Sequence, residues 1–393
     1  MEAELSRSVA QREWRWRTDN PGESDGSVLL VGPYPPPLGG VSVYVRSLAE
    51  ALREHGWRVI VADHFSGGSQ DDDLVAAGLK RNPLRYLLVL PRLRADVLHY
   101  HHSHFGALIA TVASLRLHKR KVSVITLHGE GLVRLLVDRR RALRGLSTMM
   151  LRRFDCVIAV NAEIAETVKL ALPSADVRVL PAYIPSIEKP EASEVTRAFL
   201  SKSGPCLVVS AYKVSFNAGQ AKDDYGLDVA VDTFIDLATT EESLRLAVFI
   251  ANSPASRSEI DYLQALEGRI GSACLENRFA VFIAEPLTPA FHLANCVYLR
   301  PTRTEGDSVS VREALDAGAP VIASDIVARP EAVKTVKIGE QRAWSGAVSS
   351  AIADDRREST TGADQARRDS SVQPIIDLYE DLADTKARSG GRS

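Results

Sequence analysis

Apolar runs alternate with helical patterns along most of this chain, and that alternation limits its possible folds more than any other feature. Residues 28–31 form the first run, short and apolar throughout, as in a parallel strand buried on both faces. In the first half we predict further strands at residues 58–63, 97–100, 122–127, 156–160 and 177–180. A second series is predicted at residues 207–210, 246–251, 280–284, 297–300 and 321–323. Strands that alternate with helices in this way predict an α/β chain with two parallel sheets.

A proline-containing, charged segment at residues 181–195 separates the two series and is typical of a linker. We therefore predict two Rossmann-like domains, at residues 27–187 and 188–370. The polar residues 1–26 are expected to form a poorly ordered leader. Residues 351–372 are charged and rich in Ser and Thr, and we expect them to be mobile. The pattern VQPIIDLYEDL predicts a final helix at residues 372–382, within a terminal segment 371–386.

Composition supports a globular chain with two cores and gives the halves different charges. The 393 residues are 45% hydrophobic and 25% charged, which argues against disorder of the whole. Residues 1–187 hold 25 Lys and Arg against 19 Asp and Glu, whereas the remainder holds 23 against 31. No nucleic-acid-binding motif accompanies the basic half, so we expect no nucleic-acid partner.

The cysteines and the apolar stretches indicate a cytoplasmic protein. Four widely spaced cysteines, without a C-x-x-C pair, are expected to be reduced core residues; they are Cys156, Cys206, Cys274 and Cys296. The N-terminus lacks the apolar core of a signal peptide, and no apolar run reaches the roughly 18 residues needed to span a bilayer. We therefore expect any membrane contact to be peripheral, on the inner face of the plasma membrane.

Residues 301–325, PTRTEGDSVSVREALDAGAPVIASD, combine a polar loop, a helix pattern and an apolar strand. If the helix begins near Ser308, Glu313 lies about 7 Å along its axis, and it can face the same crevice as Glu305 on the loop. Ser308 and Ser310 are candidate helix caps, and the free N–H groups of the first turn suit anions or sugar hydroxyls. The alternative is that both glutamates are solvated.

This stretch closely resembles the E-x7-E signature of retaining, nucleotide-sugar-dependent glycosyltransferases of the family-4 type. Residues 317–324, AGAPVIAS, follow the helix as small-Gly-x-Pro-Val-Ile-Ala-Ser does in that family. The resemblance covers about residues 27–383. It implies the GT-B fold, two Rossmann-like domains facing a cleft, with the final helix crossing back to the first domain. It also implies sugar transfer from a nucleotide diphosphate to a hydroxyl with retention, in cell-surface polysaccharide or glycolipid biosynthesis.

The resemblance also implies roles for the residues of this stretch. Glu305 would hold hydroxyls of the transferring sugar and act in catalysis, and Glu313 would hold the ribose hydroxyls. The backbone at the start of the helix would complete the donor site, at Gly306, Asp307, Ser308 and Val309. The nucleotide-diphosphate sugar is then a co-substrate, and we expect no cofactor and no required metal.

A glycine pair, Gly39 and Gly40, stands between the first predicted strand and a helix pattern. Such a pair lets the backbone approach a ligand closely and aims helix N–H groups at negative charge, here a diphosphate. The resemblance assigns the pair the same task of covering the diphosphate. The alternative is a tight strand-to-helix turn without a ligand.

Histidines stand at the ends of two predicted strands of the first half. His128 follows the run VSVIT, where the family has a T-x-H-G or T-x-H-D element. The resemblance implies that His128 is catalytic, contacts the transferring sugar, and hydrogen-bonds the acceptor or the 6-hydroxyl of the sugar. The alternative is a histidine bonded to backbone. A denser cluster, His99, His101, His102 and His104, lacks a nearby Cys, Asp or Glu to complete a metal shell. We predict no metal there, and the family's His-x-His pair has a structural or acceptor-side role.

The sequence departs from the family where the donor's diphosphate would bind. The family usually has Arg, a few residues and then Lys-Gly; this chain has a longer loop that ends in Tyr225-Gly226, as in a subset of the family. Lys213 and Lys222 are the candidate cations, with solvated loop lysines as the alternative. The aspartates at 71–73 and 223–224 both lie in hydrophilic loops, and the first run resembles a solvated surface run more than a metal motif.

Residues 131–153 carry seven arginines and one acid among regularly spaced apolar residues. This pattern suits an anionic membrane surface, and a solvated helical face over the core is the alternative. We expect a lipid-linked or saccharide acceptor beside the nucleotide-sugar donor. Two other functions remain open at this point. One is a sugar-nucleotide 2-epimerase, against which the E-x7-E match argues, and the other is a catalytically silent partner subunit.

Overall fold

A computed structural model of the chain describes residues 26–35, 39–64, 74–76, 90, 93–102, 105–115, 122–185, 190–217, 222–305, 307–354 and 364–390. Contacts divide them into two compact units, each built on its own sheet. The first unit takes the described residues of Met1–Pro36, Val41–Ile184 and Arg368–Ser393, and the second takes those of Pro37–Gly40 and Pro185–Arg367. The predicted leader, apart from Gly26, lies outside the described residues, as do the aspartates at 71–73, His104 and Gly306.

The sheet of the first unit has seven strands among the described residues, all paired in parallel. They are β1 (Ser27–Gly32), β2 (Arg58–Asp63), β3 (Leu74–Ala76), β4 (Val97–His102), β5 (Val122–Leu127), β6 (Cys156–Ala159) and β7 (Val177–Val179). Their order is β3-β2-β1-β4-β5-β6-β7. The helices that follow these strands are α1 (Gly40–Glu54), α2 (Phe105–Leu115), α3 (Glu130–Leu136), α4 (Arg141–Leu151) and α5 (Ala162–Ala171).

The sheet of the second unit repeats this plan with six parallel strands in the described part of the chain. The six strands are β8 (Pro205–Ala211), β11 (Arg245–Ile250), β12 (Phe279–Ile283), β13 (Asn295–Arg300), β14 (Val321–Ser324) and β15 (Lys334–Val336). Between β8 and β11 along the chain, β9 (Phe216–Asn217) and β10 (Lys222–Asp223) form a separate, short antiparallel pair. The six-stranded sheet has the order β12-β11-β8-β13-β14-β15. Its helices are α6 (Glu194–Leu200), α7 (Leu227–Leu237), α8 (Arg257–Ser272), α9 (Thr288–Leu293), α10 (Val309–Asp316) and α11 (Gln341–Ala353).

The prediction of an α/β chain with two Rossmann-like sheets is confirmed. Every predicted strand is present, with ends that differ by no more than two residues. The central strands were visible because they are buried runs of apolar residues, such as 28–31 and 207–209. Four strands were missed, namely β3, β9, β10 and β15; each spans only two or three residues, too few to give an alternation pattern.

The last helix, α12, is longer than predicted and spans Asp364–Gly390. The prediction of a helix confined to residues 372–382 after a mobile segment is therefore wrong at both ends. Its polar first turns are held by tertiary contacts that propensity does not reveal, because the buried Arg368 donates from Nε to Glu54 Oε2 over 2.8 Å. Tyr379 of the same helix is also buried in the first unit, where its hydroxyl lies 2.6 Å from His99 Nδ1.

Three of the four cysteines are buried as predicted, and all four are free thiols. The prediction is wrong for Cys274, which is exposed. It follows α8 in a turn, where its φ of 56° is a left-handed conformation. The polar groups of that turn hold it at the surface, because Cys274 N donates to Gly271 O at the end of the helix.

Candidate active site

The strand order of the second sheet reverses between β8 and β13, and ligands of such sheets bind at the carboxyl ends of the strands beside that reversal. Arg300 is the last residue of β13. Its Nη1 donates to Ser210 O, near the end of β8, over 3.0 Å, and its Cζ lies 5.7 Å from the ring centroid of Tyr225. A cation therefore stands where this sheet is expected to hold a ligand.

Glu305 lies on the loop after β13 and is buried between two arginines. Its Oε1 accepts from Arg300 Nε over 2.7 Å, and its Oε2 accepts from Arg329 Nη1 over 2.6 Å. The Thr302 hydroxyl donates to Oε2 over 3.2 Å. Burial alone would raise the pKa of Glu305, but the charges and hydrogen bonds of the two arginines outweigh it and lower that pKa.

Helix α10 begins next to this cluster. As predicted, Ser308 is its N-cap, and its Oγ accepts from Val311 N. Ser310 was also a candidate cap, but its hydroxyl instead accepts a 2.6 Å hydrogen bond from Tyr298 OH, because position 310 already lies inside the helix. Tyr298 OH lies 2.7 Å from Ser210 Oγ, so a chain of hydroxyls joins the start of α10 to the end of β8.

The other predicted donor residues of this stretch are near the start of α10. Val309 is buried, and Asp307 pairs with Arg312, whose Nε lies 3.0 Å from Oδ2. Glu313 is half-buried in the second turn of the helix. Helix α10 begins at Val309, as expected for a start near Ser308, and a common crevice for Glu305 and Glu313 stays a prediction.

The predicted cations Lys213 and Lys222 belong to the segment between β8 and α7. Lys213 is exposed, and Lys222 belongs to the short strand β10. The pKa of Glu259 is lowered chiefly by the backbone N–H groups of Ala255 and Ser256, and the charge of Lys213 adds to this effect. Lys213 is therefore electrostatically close to the first turn of α8.

The sequence placed Asp223 in a hydrophilic loop, whereas in the structure it ends the short strand β10. It is buried because its carboxylate caps helix α7, where Oδ1 accepts from Tyr225 N over 2.9 Å and Oδ2 accepts from Leu227 N over 2.6 Å. Tyr262 OH donates to Oδ2 as well. Burial raises the pKa of Asp223, and these hydrogen bonds only partly oppose the rise. The start of α7 already holds a carboxylate of the chain itself.

Gly39 and Gly40 precede and begin helix α1, and their contacts group them with the second unit. A Cβ added at Gly39 would lie 2.6 Å from Tyr212 Cε2, and one added at Gly40 would lie 3.7 Å from Val309 Cγ2. Only a glycine fits at position 39 without displacement of the tyrosine ring. Tyr212 directly follows β8 and Val309 begins α10, so both glycines adjoin elements of the predicted donor site.

In the first unit three of the predicted histidines, His99, His101 and His128, meet at the corresponding reversal, between β1 and β4. His128 directly follows β5, and its Nε2 lies 3.1 Å from His101 Nδ1. The rings of His99 and His101 lie 4.2 Å apart, and His99 Nε2 lies 2.6 Å from Thr126 Oγ1. Burial, aided by the charge of His128, lowers the pKa of His99 to about 3, so its ring is neutral at pH 7.

The sequence did not single out Arg300, Arg329, Tyr298 or Asp223 as site residues. The only signal for Arg300 was an arginine at the end of an apolar strand, directly before Pro301. Among the described residues, no group of three or more His, Cys, Asp or Glu side chains could hold a metal ion.

The structure has the GT-B fold, which it shares with solved glycosyltransferase structures. Sucrose-phosphate synthase from Thermosynechococcus elongatus aligns with a TM-score of 0.62 and 17% identity, over 93% of this chain and 98% of that one. The Anabaena protein HepE in complex with UDP-glucose aligns with a TM-score of 0.60 and 14% identity, over 94% and 100%. WaaG, a glycosyltransferase involved in lipopolysaccharide biosynthesis, aligns with a TM-score of 0.57 and 13% identity, over 91% and 99%.

Residues 38–185 match the family model described as Glycosyltransferase Family 4. This match, together with the shared fold, supports a glycosyltransferase of the family-4 type, as the sequence resemblance indicated. The matched segment lies in the first half of the chain and ends before Glu305 and Glu313. No curated protein in the comparison matches the sequence.

Proposed function

We propose that the protein is a retaining glycosyltransferase that moves a sugar from a nucleotide-diphosphate sugar to a hydroxyl acceptor. The observation that carries the proposal is the meeting of Arg300, Glu305 and the start of α10 at the reversal of the second sheet. The family match over residues 38–185 supports it independently. HepE, which has the same fold, was solved with UDP-glucose bound, and this favours a nucleotide sugar as the donor here.

In this proposal the second unit binds the donor. Glu313 accepts hydrogen bonds from the ribose hydroxyls, and the N–H groups at the start of α10 face the sugar and its phosphate. Gly39 and Gly40 let the backbone lie close to the diphosphate. Lys213 and Lys222 remain predicted cations for the diphosphate.

The reaction follows from charge stabilisation at this edge. The bond from the anomeric carbon to the diphosphate oxygen breaks, and an oxocarbenium-like centre and a diphosphate anion develop together. A helix start and nearby cations are positioned to stabilise that anion. The acceptor hydroxyl attacks from the same face and its proton passes to the departing phosphate, which gives retention. His128 contacts the transferring sugar or the acceptor.

Nucleotide release is the experiment that tests this function. UDP-, GDP- and ADP-sugars are incubated with the chain, without and with lipid-linked and saccharide acceptors, and the released nucleoside diphosphate is measured. A glycosyltransferase releases it in proportion to glycosylated product. Interconversion of epimeric donors without release would instead indicate a 2-epimerase, and no turnover of any donor would indicate a silent partner subunit.

The ribose contact is tested by Glu313→Gln, with Asp316→Asn as the matched control on the same helix. We expect Glu313→Gln to weaken donor binding about tenfold or more, as for the loss of a hydrogen bond to a charged group, and the control to bind as the wild type does. Equal donor dissociation constants for all three proteins, measured by titration calorimetry, would contradict the assignment.

We also propose that the acceptor end of the protein works at an anionic membrane surface, in cell-surface polysaccharide or glycolipid biosynthesis. Helices α3 and α4 and the residues around them expose every arginine of residues 131–153: Arg134, Arg139, Arg140, Arg141, Arg144, Arg152 and Arg153. Val137 (64%), Met149 (50%) and Leu170 (84%) are exposed on the same unit. Basic and apolar side chains together favour peripheral binding. None of the described helices is both long enough and apolar enough to span a bilayer.

Vesicle sedimentation tests this surface. We expect the Arg139→Gln, Arg140→Gln, Arg141→Gln variant to bind anionic vesicles about 100-fold more weakly than the wild type, because each basic residue contributes about 1 kcal/mol near such a surface and three contribute about 3 kcal/mol. The control is a triple Lys→Gln variant of the second unit, which removes the same charge at the exposed positions 202, 334 and 337. Its vesicle binding should equal that of the wild type. Equal sedimentation of the arginine variant and the wild type would contradict the membrane proposal.

A further inference from the structure

The carboxylate of Glu305 is saturated with hydrogen bonds. A carboxylate offers about four lone-pair positions. Oε1 accepts from Arg300 Nε (2.7 Å) and Nη2 (2.5 Å), and Oε2 accepts from Arg329 Nη1 (2.6 Å) and Thr302 Oγ1 (3.2 Å). The side chain is only 5% exposed. A sugar hydroxyl would have to displace one of these donors, so the geometry opposes direct contact between Glu305 and the transferring sugar.

The cluster carries more positive than negative charge, and its exposed part is Arg300. Two guanidinium groups surround one carboxylate, which leaves one positive charge in excess. The Arg300 side chain is 13% exposed, whereas that of Arg329 is 3% exposed. Arg329 also donates to Ser324, through Nε to the carbonyl and through Nη2 to the hydroxyl. Arg300 is therefore the member that a ligand can reach.

One N–H group of Arg300 has no acceptor among the described residues. Of its five N–H groups, Nε and one on Nη2 point to Glu305, and Nη1 points to the carbonyl and hydroxyl of Ser210. The second N–H of Nη2 is left. An arginine held by a carboxylate at one side and open at another is suited to phosphate oxygens.

The alternatives for binding an anion are weaker. The N-terminus of α7 is filled by Asp223, whose carboxylate would repel a phosphate. Lys213 is exposed and acts on Glu259 at the start of α8. Helix α10, by contrast, has the neutral cap Ser308, and its first turn is joined through hydroxyl groups to Ser210, which Arg300 also contacts. Hydrogen bonds through Ser210 and Tyr298 therefore connect Arg300 to the first turn of α10.

We propose that Arg300 binds the diphosphate of the donor, and that Glu305 and Arg329 are positioning residues that hold its guanidinium group at the end of β8. This inference rests on the proposed function, which supplies the nucleotide-diphosphate donor. Arg300, at the end of β13, would then have the diphosphate-binding role that the resembled family gives to its Arg and Lys-Gly motif. This assignment also changes the role of Glu305 from a contact of the sugar to a support of the cation.

Calorimetric titration of point variants tests the assignment. UDP, GDP and ADP are first screened on the wild type, and the one that binds is compared with its nucleoside. We expect Arg300→Met to lower the affinity for the nucleoside diphosphate about 10- to 100-fold, because one charge-assisted hydrogen bond is lost. The affinity for the nucleoside should be unchanged. Arg342→Met, at an exposed position on α11, is the matched control and should retain wild-type affinities, and Lys213→Met tests the alternative cation, whose loss we expect to matter less than that of Arg300. Wild-type diphosphate affinity in Arg300→Met, or an equal loss in Lys213→Met, would overturn the proposal.

Glu305→Gln shows whether Glu305 positions Arg300 or contacts the transferring sugar, because a nucleoside diphosphate carries no transferring sugar. We expect this variant to lower the affinities for the nucleoside diphosphate and for its nucleotide sugar by the same factor. Weakening of the nucleotide sugar alone would overturn the positioning role. If Arg300→Met does not fold, Arg300→Lys replaces it, and a loss of about threefold or more in diphosphate affinity alone is expected. Wild-type affinity in Arg300→Lys would then overturn the proposal.

The outcome for the wild type distinguishes this inference from the proposed function. If the wild type binds none of the three nucleoside diphosphates, the proposed function fails and this inference fails with it. If the wild type binds one of them and releases it from its sugar, while Arg300→Met or Arg300→Lys keeps full affinity, the function stands and only the assignment of Arg300 is overturned.

Discussion

Loss of the Glu305 carboxylate is expected to destabilise the second unit more than loss of any exposed glutamate. Glu305→Ala would leave two guanidinium groups facing each other, with Arg329 only 3% exposed. Their hydrogen bonds to the carboxylate would also be lost. Removal of one partner from a buried ion pair typically costs 3–5 kcal/mol, because the remaining charge stays buried without compensation. We expect about 3–5 kcal/mol here, toward the lower end because Arg300 can reach water.

This loss is measured by urea unfolding, followed by far-UV circular dichroism and by the fluorescence of Trp344, which is fully buried in the second unit. Glu267→Ala, at an exposed position on α8, is the control and should change the free energy of unfolding by no more than about 0.5 kcal/mol. A loss below about 1 kcal/mol for Glu305→Ala would show that water or a rearranged loop compensates the arginines, and would refute the argument.

The same ion pairs give the effect a pH dependence of defined sign. The arginines hold the folded-state pKa of Glu305 below its ordinary value of about 4.3, which the unfolded chain retains. The carboxylate therefore adds stability above that ordinary pKa, and this stability is lost as the pH falls through the folded-state pKa. The difference between wild type and Glu305→Ala should be constant from about pH 6 to 8 and shrink below about pH 4. A difference that stays constant to pH 3 would contradict the pairing.

Three further changes test individual contacts. Asp223→Ala removes the cap of α7 and leaves Tyr262 OH without its acceptor, so urea unfolding should show a loss of about 1–3 kcal/mol; a loss below about 0.5 kcal/mol would contradict the cap. Gly226→Ala places a Cβ against Pro301 O at a φ of +70°, and should lower stability by at least about 1–2 kcal/mol in calorimetry. Arg368→Met should speed amide exchange in α12 and leave the second sheet unchanged; equal exchange throughout would contradict its anchoring role.

The sequence predicted those parts of the fold whose cause is local. A strand buried on both faces must be apolar over several residues, so β1, β5 and β8 were found from composition alone. The cap of α10 was found because serine before a helix pattern satisfies free N–H groups. Strand β15 has only one buried residue of three, and the start of α12 is polar, so neither gave a local signal.

The partners in the site were not predictable, because they depend on which strands become neighbours. Arg300 and Ser210 are separated by 90 residues and meet only because β13 lies beside β8. Glu305 and Arg329 lie 24 residues apart, on loops that follow neighbouring strands. The sequence placed Glu305 at a ligand-binding edge, but it held no pattern that revealed how many hydrogen bonds the carboxylate already accepts.

The shared strand order explains why each unit concentrates polar groups where it does, and which unit suits a diphosphate. In both sheets the strand on the far side of the reversal, β4 or β13, ends beside the first strand of its unit. In β4 these polar residues are His99 and His101, whose pKa values burial lowers, so that both rings are neutral at pH 7. In β13 the residue is Arg300, which stays charged. Neutral imidazoles exchange hydrogen bonds with hydroxyls but have no charge to offset two phosphates, whereas a guanidinium group has one. The charged end of β13 can therefore offset phosphate charge, which the buried and neutral rings of β4 cannot.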